Sequence, residues 1–212
     1  MRVHTVGLLA TAALAVCAAP ARAQNFMSGS AETIAPGYFR LTGSPVQMFG
    51  HNGAPDRTGG EFRLGYGITD AFDIEAKSAF FDGVSLLGAD AQVRVYRSDK
   101  AAISLRAGAH QAVMSSAPDS TAVDLAAELS AWVSRRVEVY GATDFSFEYV
   151  NGPGGNDFTR VHLVPGVRFG VGQQVDVQVE AGIGLNHNSP DFVTAGLAVH
   201  LPTSGAASSP RH

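Results

Sequence analysis

Residues 175–185 have the sequence Val-Asp-Val-Gln-Val-Glu-Ala-Gly-Ile-Gly-Leu, in which every second side chain is apolar. Because the side chains of a β-strand point alternately to its two faces, this stretch predicts one long strand with an apolar face and a polar face. Its length of about 11 residues suits a tilted strand that crosses a bilayer, whereas strands of soluble proteins average roughly 5–6 residues. The stretch therefore predicts a membrane-spanning strand.

The same alternation recurs along most of the chain. It predicts ten strands, at residues 37–49, 60–68, 72–81, 89–96, 103–110, 122–134, 137–149, 158–169, 175–185 and 193–201. The connections after the second, fourth, sixth and eighth strands are tight, and most of the others are longer and rich in Gly, Asn and Pro. The pattern predicts an all-β fold, a closed up-and-down antiparallel transmembrane β-barrel of about ten strands, within a range of roughly 8 to 12.

The amino terminus has the features of an export signal. An apolar run from Val3 to Ala19 leads into Ala21-Arg22-Ala23, a small-x-small cleavage site. We expect a signal peptide at 1–23 that is removed, a flexible segment at 24–36, the barrel at 37–201 and a flexible tail at 202–212. The only cysteine, Cys17, lies in the signal peptide, so no disulfide or thiolate metal site is expected in the mature chain.

The polar faces of the predicted strands collect nearly all of the charged side chains. The charged residues predicted to face the lumen are Arg63, Glu75, Lys77, Asp90, Arg94, Arg106, Asp124, Glu128, Asp144, Glu148, Arg160, Arg168 and Glu180. They would either line a permeation path or neutralise one another in a network that plugs the barrel. Tyr96, Trp132 and Tyr140 fall on the same face by parity. For Trp132 and Tyr140, either the side chains fill the lumen or the predicted register slips there.

Composition narrows the expected partners. The net charge of −4 is moderately acidic, which disfavours nucleic acid. His110, His162 and His200 lie on different predicted strands without a metal-ligand spacing, so neither a metal nor another cofactor is expected. The expected partners are outer-membrane lipid and small solutes, and the oligomeric state is open. A soluble periplasmic β-barrel binding protein, with the two faces exchanged, is one alternative.

Two short phrases, Gly65-Tyr66-Gly67-Ile68-Thr69-Asp70 and Ser189-Pro190-Asp191-Phe192, support a family resemblance. Over about residues 37–201 the chain resembles the small outer-membrane β-barrel proteins of Gram-negative bacteria, including porin-like barrels described as transporters of hydrophobic compounds. The resemblance implies a non-enzymatic protein of the bacterial outer membrane, either a narrow channel for small or hydrophobic solutes or a structural envelope protein. Such barrels usually end on an aromatic residue, whereas this chain continues past Leu201 into a polar tail.

The second alternative is enzymatic. His187 and Ser189 are two residues apart, so both side chains would point the same way from a strand end and act as base and nucleophile. The pair resembles the His-x-Ser pair of lipid A deacylases, which are small outer-membrane barrels. That family also has an acid after the pair, and here only Asp191 lies close. Pro190 favours a turn at this point, so we expect no catalytic residues.

Overall fold

The computed structural model describes residues 29–50, 55–115, 118–152 and 156–203. The predicted signal peptide, residues 24–28 and residues 204–212 lie outside this range. The strands are β1 (Tyr38–Met48), β2 (Arg57–Thr69), β3 (Phe72–Phe81), β4 (Val84–Arg97), β5 (Ala101–Met114), β6 (Ser120–Ser134), β7 (Val137–Val150), β8 (Phe158–Gly170), β9 (Val175–Gly184) and β10 (Phe192–Pro202). Each pairs with the next along the chain, and β1 pairs with β10. The all-β closed antiparallel barrel is therefore confirmed.

The two ends of the barrel differ in the length of their connections. At one end, which we call the short-turn end, the strands are joined by 70–71, 98–100, 135–136 and 171–174. The other end, the long-loop end, carries 49–56, 115–119, 151–157 and 185–191, together with the tight turn at Asp82 and Gly83. Gly83 has φ of +69°, a left-handed conformation that glycine adopts without steric penalty. The alternation of short and long connections agrees with the sequence analysis.

The apolar side chains cover the outside of the barrel and the charged ones are inside. Along β6, for example, Val123, Leu125 and Leu129 are exposed while Asp124 and Glu128 are buried. A soluble barrel has the opposite arrangement, with its apolar residues in the interior. In the part of the chain that the structure describes, no helix is both long and apolar enough to cross a bilayer.

One residue faces the opposite way from its predicted orientation. Tyr96 was expected to point inward, but its side chain is about half exposed on the outside. The pairing of β4 with β5 slips between Arg94 and Tyr96, because a bulge adds one residue to β4 there. An extra residue reverses the alternation for everything beyond it, so the prediction for Tyr96 was wrong. Trp132, which precedes a similar slip in β6, keeps its inward position.

The long-loop end of the lumen contains an apolar cluster. Met48 ends β1, Phe81 ends β3, Val84 begins β4 and Phe192 begins β10, and all four side chains are buried together with neighbouring small and aliphatic residues. These positions continue the inward face of their strands, where the sequence changes from charged to apolar. The cluster closes part of the lumen on the loop side.

The short-turn end is filled by the chain itself. Residues 29–36, which we call the N-terminal plug, lie inside the barrel, with Ser30, Ala31 and Ile34 almost completely buried. This differs from the expected flexible segment at 24–36. At the other terminus, the backbone N–H of Thr203 donates to Gly37 O (2.9 Å), so the first residue after β10 is held against the start of β1.

Candidate functional site: the lumen

The charged side chains predicted to face the lumen are brought together there. All thirteen of the residues named above are buried or nearly so, and Lys77, Glu128, Glu148 and Glu180 are among the most deeply buried side chains of the described residues. An ionised group at this depth is tolerated only where it is paired or hydrogen bonded. The lumen is therefore best described through its pairings.

A continuous chain of ion pairs, joined through the hydrogen bonds of His110 and called the ion-pair chain below, crosses the lumen from β1 to β8. Its members, in order of contact, are Arg40, Glu75, Arg63, Asp90, Lys77, Asp124, His110, Glu148 and Arg160, and the contacts are between 2.7 and 3.3 Å long. Lys77 Nζ is central, because it bridges Asp90 Oδ1 (2.7 Å) on β4 and Asp124 Oδ2 (2.8 Å) on β6. Acids and bases alternate along the chain, which favours the network hypothesis over an open charged path.

A second cluster lies between β4, β5 and β6. Arg106 Nη2 contacts Glu128 Oε1 (2.9 Å) and donates to Gln92 Oε1 (2.9 Å). The Ser104 hydroxyl donates to Glu128 Oε2 (2.6 Å) and accepts from Gln92 Nε2 (2.9 Å). Here neighbouring strands supply one base, one acid and two neutral groups.

Two aromatic residues, Trp132 and Tyr140, complete the inner wall. The alternation of side chains along their strands placed both on the inward face. The Tyr140 hydroxyl donates to Glu180 Oε1 (2.7 Å). The Trp132 ring lies 5.2 Å from the guanidinium carbon of Arg168, which also pairs with the buried Glu138. Both side chains therefore fill the lumen. The slip in the pairing of β6 with β7, between Trp132 and Ser134, turns neither of them outward.

The N-terminal plug is held by specific contacts with the wall. Hydrogen bonds join it to β9, β6, β3 and β4. They are Gly29 N–H to Glu180 (2.9 Å), Ala31 N–H to Ser130 Oγ (2.8 Å), Ile34 N–H to Asp73 (2.7 Å) and Gln92 Nε2 to Ser30 O (3.0 Å). Glu32 adds an ion pair with Arg94 (2.7 Å) and accepts from Trp132 Nε1 (3.5 Å). Charge-assisted bonds of this kind are among the stronger ones in proteins.

Glycines on β2 make room for the plug. A Cβ at Gly65 would lie 2.3 Å from Ile34 Cδ1, and a Cβ at Gly67 would lie 2.2 Å from Ala35 O. Gly67 O also accepts from the N–H of Gly37 (3.0 Å), which fixes the point where the chain leaves the lumen. Two wall positions without side chains therefore form the groove in which the plug lies. The sequence shows these glycines but not what fills the space above them.

The His187 and Ser189 pair lies in the loop between β9 and β10. The Ser189 hydroxyl donates to Asn186 Oδ1 (2.5 Å) and accepts from the N–H of Val161 (2.8 Å). Ser189 is buried, whereas His187 is exposed. These bonds hold the loop against β8, so the buried serine has a structural role.

Among the described residues, no group of three or more His, Cys, Asp or Glu side chains is arranged to hold a metal ion.

Comparison with known proteins identifies the fold. No family model and no curated protein matches the chain. Among solved structures, an outer-membrane channel from Pseudomonas putida F1 is 11% identical, over 84% of this chain and 100% of its own, with a TM-score of 0.52. The fold is that of a porin-like outer-membrane barrel. The NanC porin gives a TM-score of 0.50 at 7% identity, over 76% of this chain and 100% of its own.

Proposed function

We propose that this chain is a non-enzymatic porin-like barrel of the bacterial outer membrane, exported with removal of residues 1–23, and that it forms a narrow, normally closed channel for small or hydrophobic solutes. The observation that supports the proposal is the N-terminal plug, which occupies the short-turn end of the lumen through contacts with four strands. Because the plug is not a strand of the barrel, it can leave the lumen without unpairing any of the ten strands.

The outer face supports the location. Its exposed Leu, Ile, Val and Phe side chains match a hydrocarbon environment, and strands of 10 to 15 residues are long enough to cross it when tilted. Outer-membrane barrels place their short turns in the periplasm and their longer loops outside the cell. By this rule the N-terminal plug enters from the periplasm, and the partners of the outer face are membrane lipids.

A structural envelope protein is the second candidate. The ion-pair chain from Arg40 to Arg160 fills the middle of the lumen, and the apolar cluster closes part of its loop side. A barrel of ten strands has a narrow interior, because open aqueous channels occur at about 16–18 strands. If the ion-pair chain and the apolar cluster close the lumen permanently, the protein stabilises the envelope and conducts no solute.

Single-channel recording separates the two candidates. The Gly65→Ala/Gly67→Ala variant places methyl groups where Ile34 and Ala35 lie, so it should displace the N-terminal plug. In planar bilayers we expect rare, small openings for the mature wild-type protein and more frequent openings for this variant. Gly141→Ala is the matched control, because a Cβ at Gly141 meets no atom within 4 Å. Its openings should match those of the wild type.

Silence of the glycine variant would favour the structural candidate, provided that the variant is folded. Folding can be checked by the shift in gel mobility on boiling, which folded outer-membrane barrels often show. Deletion of residues 29–36 is the second variant. If the folded deletion variant is also silent, the channel proposal fails.

A further inference from the structure

The wall of the lumen carries more acids than bases. The thirteen charged residues named above comprise seven acids and six bases, and the structure adds one base, Arg40, and four acids, Glu61, Asp73, Glu138 and Asp176. The described strands therefore turn eleven acids and seven bases inward, an excess of four acids. Closure of the lumen by the N-terminal plug neither uses nor explains this excess.

The bases of the wall are already neutralised by its acids. Six of the seven form an ion pair with a carboxylate of a strand: Arg40 with Glu75, Arg63 and Lys77 with Asp90, Arg106 with Glu128, Arg160 with Glu148 and Arg168 with Glu138. The seventh base, Arg94, pairs with Glu32 of the plug and also donates to the carbonyl of Asp70 in the short turn 70–71. When the plug leaves, the six pairs within the wall therefore stay intact.

Two acids of the excess are bonded to the plug instead of to a base. Glu180 accepts from the N–H of Gly29 (2.9 Å), and Asp73 accepts from the N–H of Ile34 (2.7 Å). Within the described ranges, neither carboxylate forms an ion pair with an Arg or Lys side chain. In the closed barrel, backbone N–H groups of the plug thus lie where a cation would meet these two acids.

Glu61 is a third acid with little compensation. Its ion pair with Arg63 is long, at 3.9 Å, and the same guanidinium already contacts Asp90 (2.9 Å) and Glu75 (3.1 Å). The Oε2 atoms of Glu61 and Glu180 are both buried, and neither has a hydrogen-bond partner in the part of the chain that the structure describes. Because a buried carboxylate oxygen without a partner is unfavourable, both positions gain from a cation.

We propose that the lumen passes small cations in preference to anions once the N-terminal plug has left, and that Asp73 and Glu180 are the acids that its departure exposes to them. The inference rests on the proposed channel function and names the substrate class of that channel. Carboxylates in contact with water are ionised at neutral pH. A narrow path lined by an excess of one charge concentrates ions of the opposite charge, as the acidic rings of cation channels do.

Reversal potentials in planar bilayers under a KCl gradient measure this preference. The Gly65→Ala/Gly67→Ala variant supplies the openings with the whole mature chain present. We expect K⁺ to be at least about tenfold more permeant than Cl⁻, the lower end of the enrichment that charged clefts produce. Adding Asp73→Asn and Glu180→Gln to this variant halves the excess of acids. Because ion concentration depends exponentially on potential, the permeability ratio should then fall to about threefold.

Arg168→Gln/Glu138→Gln, added to the same glycine variant, is the matched control. It removes one buried base and the acid that pairs with it, so the excess of acids stays at four and the permeability ratio should not change. An unchanged ratio after Asp73→Asn/Glu180→Gln would overturn the role of these two acids.

The glycine variant alone also tests the inference, should the variant with four substitutions fail to fold. Openings that pass K⁺ and Cl⁻ equally, or that prefer Cl⁻, would overturn the cation preference and leave the channel function in place. Silence of the folded glycine variant and of the folded deletion variant would instead contradict the channel function, and the cation preference would fall with it.

Discussion

Tyr140 on β7 lies directly opposite Gly166 on β8, and its ring extends across that glycine to reach Glu180 on β9. The register pairs Tyr140 with Gly166 and Gly166 with Glu180. A Cβ at Gly166 would lie 2.4 Å from Tyr140 Cε2, so only glycine leaves room for the ring. The hydroxyl can therefore donate to Glu180, which in turn accepts from the N–H of Gly29 in the N-terminal plug.

Because the Tyr140 ring lies over Gly166, a side chain added at Gly166 should destabilise the barrel. Gly166→Ala should lower the free energy of unfolding by about 1–3 kcal/mol, the usual range for an overpacked interior. Gly141→Ala, also in a strand but with no atom near its Cβ, should change it much less. Urea titrations of the two variants in lipid vesicles provide the measurement. Equal stabilities would show that the Tyr140 ring does not lie over Gly166.

The same pairing occurs at the long-loop end. Phe192 lies opposite Gly182, and Phe81 lies opposite Gly59. In both pairs a Cβ on the glycine would contact the aromatic ring at under 2.5 Å. Each pair joins neighbouring strands on the lumen face, where an aromatic ring packs against bare backbone. The inner wall thus combines ion pairs with aromatic and glycine pairs.

A second prediction concerns the outer face. Leu163 is exposed near the middle of β8, whereas Leu201 is exposed near the end of β10. Leu163→Arg should destabilise the barrel by about 2–4 kcal/mol in vesicles, because it places a charge near the bilayer midplane, and Leu201→Arg by about 0–1 kcal/mol. The difference should disappear if the outer face does not meet lipid. Unfolding titrations in lipid vesicles would measure the free energy of unfolding of the Leu163→Arg and Leu201→Arg variants.

Strand number and the orientation of most side chains could be predicted because alternation is a local property of each strand. Tyr96 was missed because a bulge leaves no mark in the alternation itself. The N-terminal plug was missed for a different reason. Its residues are small and polar without periodicity, and the contacts that order it, such as Ala31 with Ser130, join residues far apart in the chain.

The sequence also could not predict which side chains pair with one another in the lumen. Parity places Lys77, Asp90 and Asp124 on inward faces, but it does not show that the lysine bridges both carboxylates. Which acid meets which base depends on the stagger of the strands around the closed barrel. That stagger is a property of the whole barrel and not of any one strand.

A third prediction addresses the enzymatic alternative. The Ser189 hydroxyl is engaged by Asn186 and by the N–H of Val161, so its role is to hold the loop. Ser189→Ala and His187→Ala should leave the lipid A profile of expressing cells unchanged, as mass spectrometry would measure. Ser189→Ala should still lower stability by about 1–3 kcal/mol, because the N–H of Val161 loses its acceptor. Loss of a deacylated lipid A species in either variant would instead identify a hydrolase.

The last prediction uses Trp132, the only tryptophan in the chain, as a reporter of the N-terminal plug. Its Nε1 donates to Glu32, which also pairs with Arg94. Glu32→Gln weakens both contacts, and loss of a charged hydrogen bond is worth about 1.5–3 kcal/mol. We therefore expect red-shifted emission and stronger quenching by acrylamide, because water reaches the indole when the plug loosens. Asp56→Asn, which removes an acid at the long-loop end, should leave the spectrum unchanged. If Glu32→Gln also leaves it unchanged, the plug does not lie against Trp132 in solution.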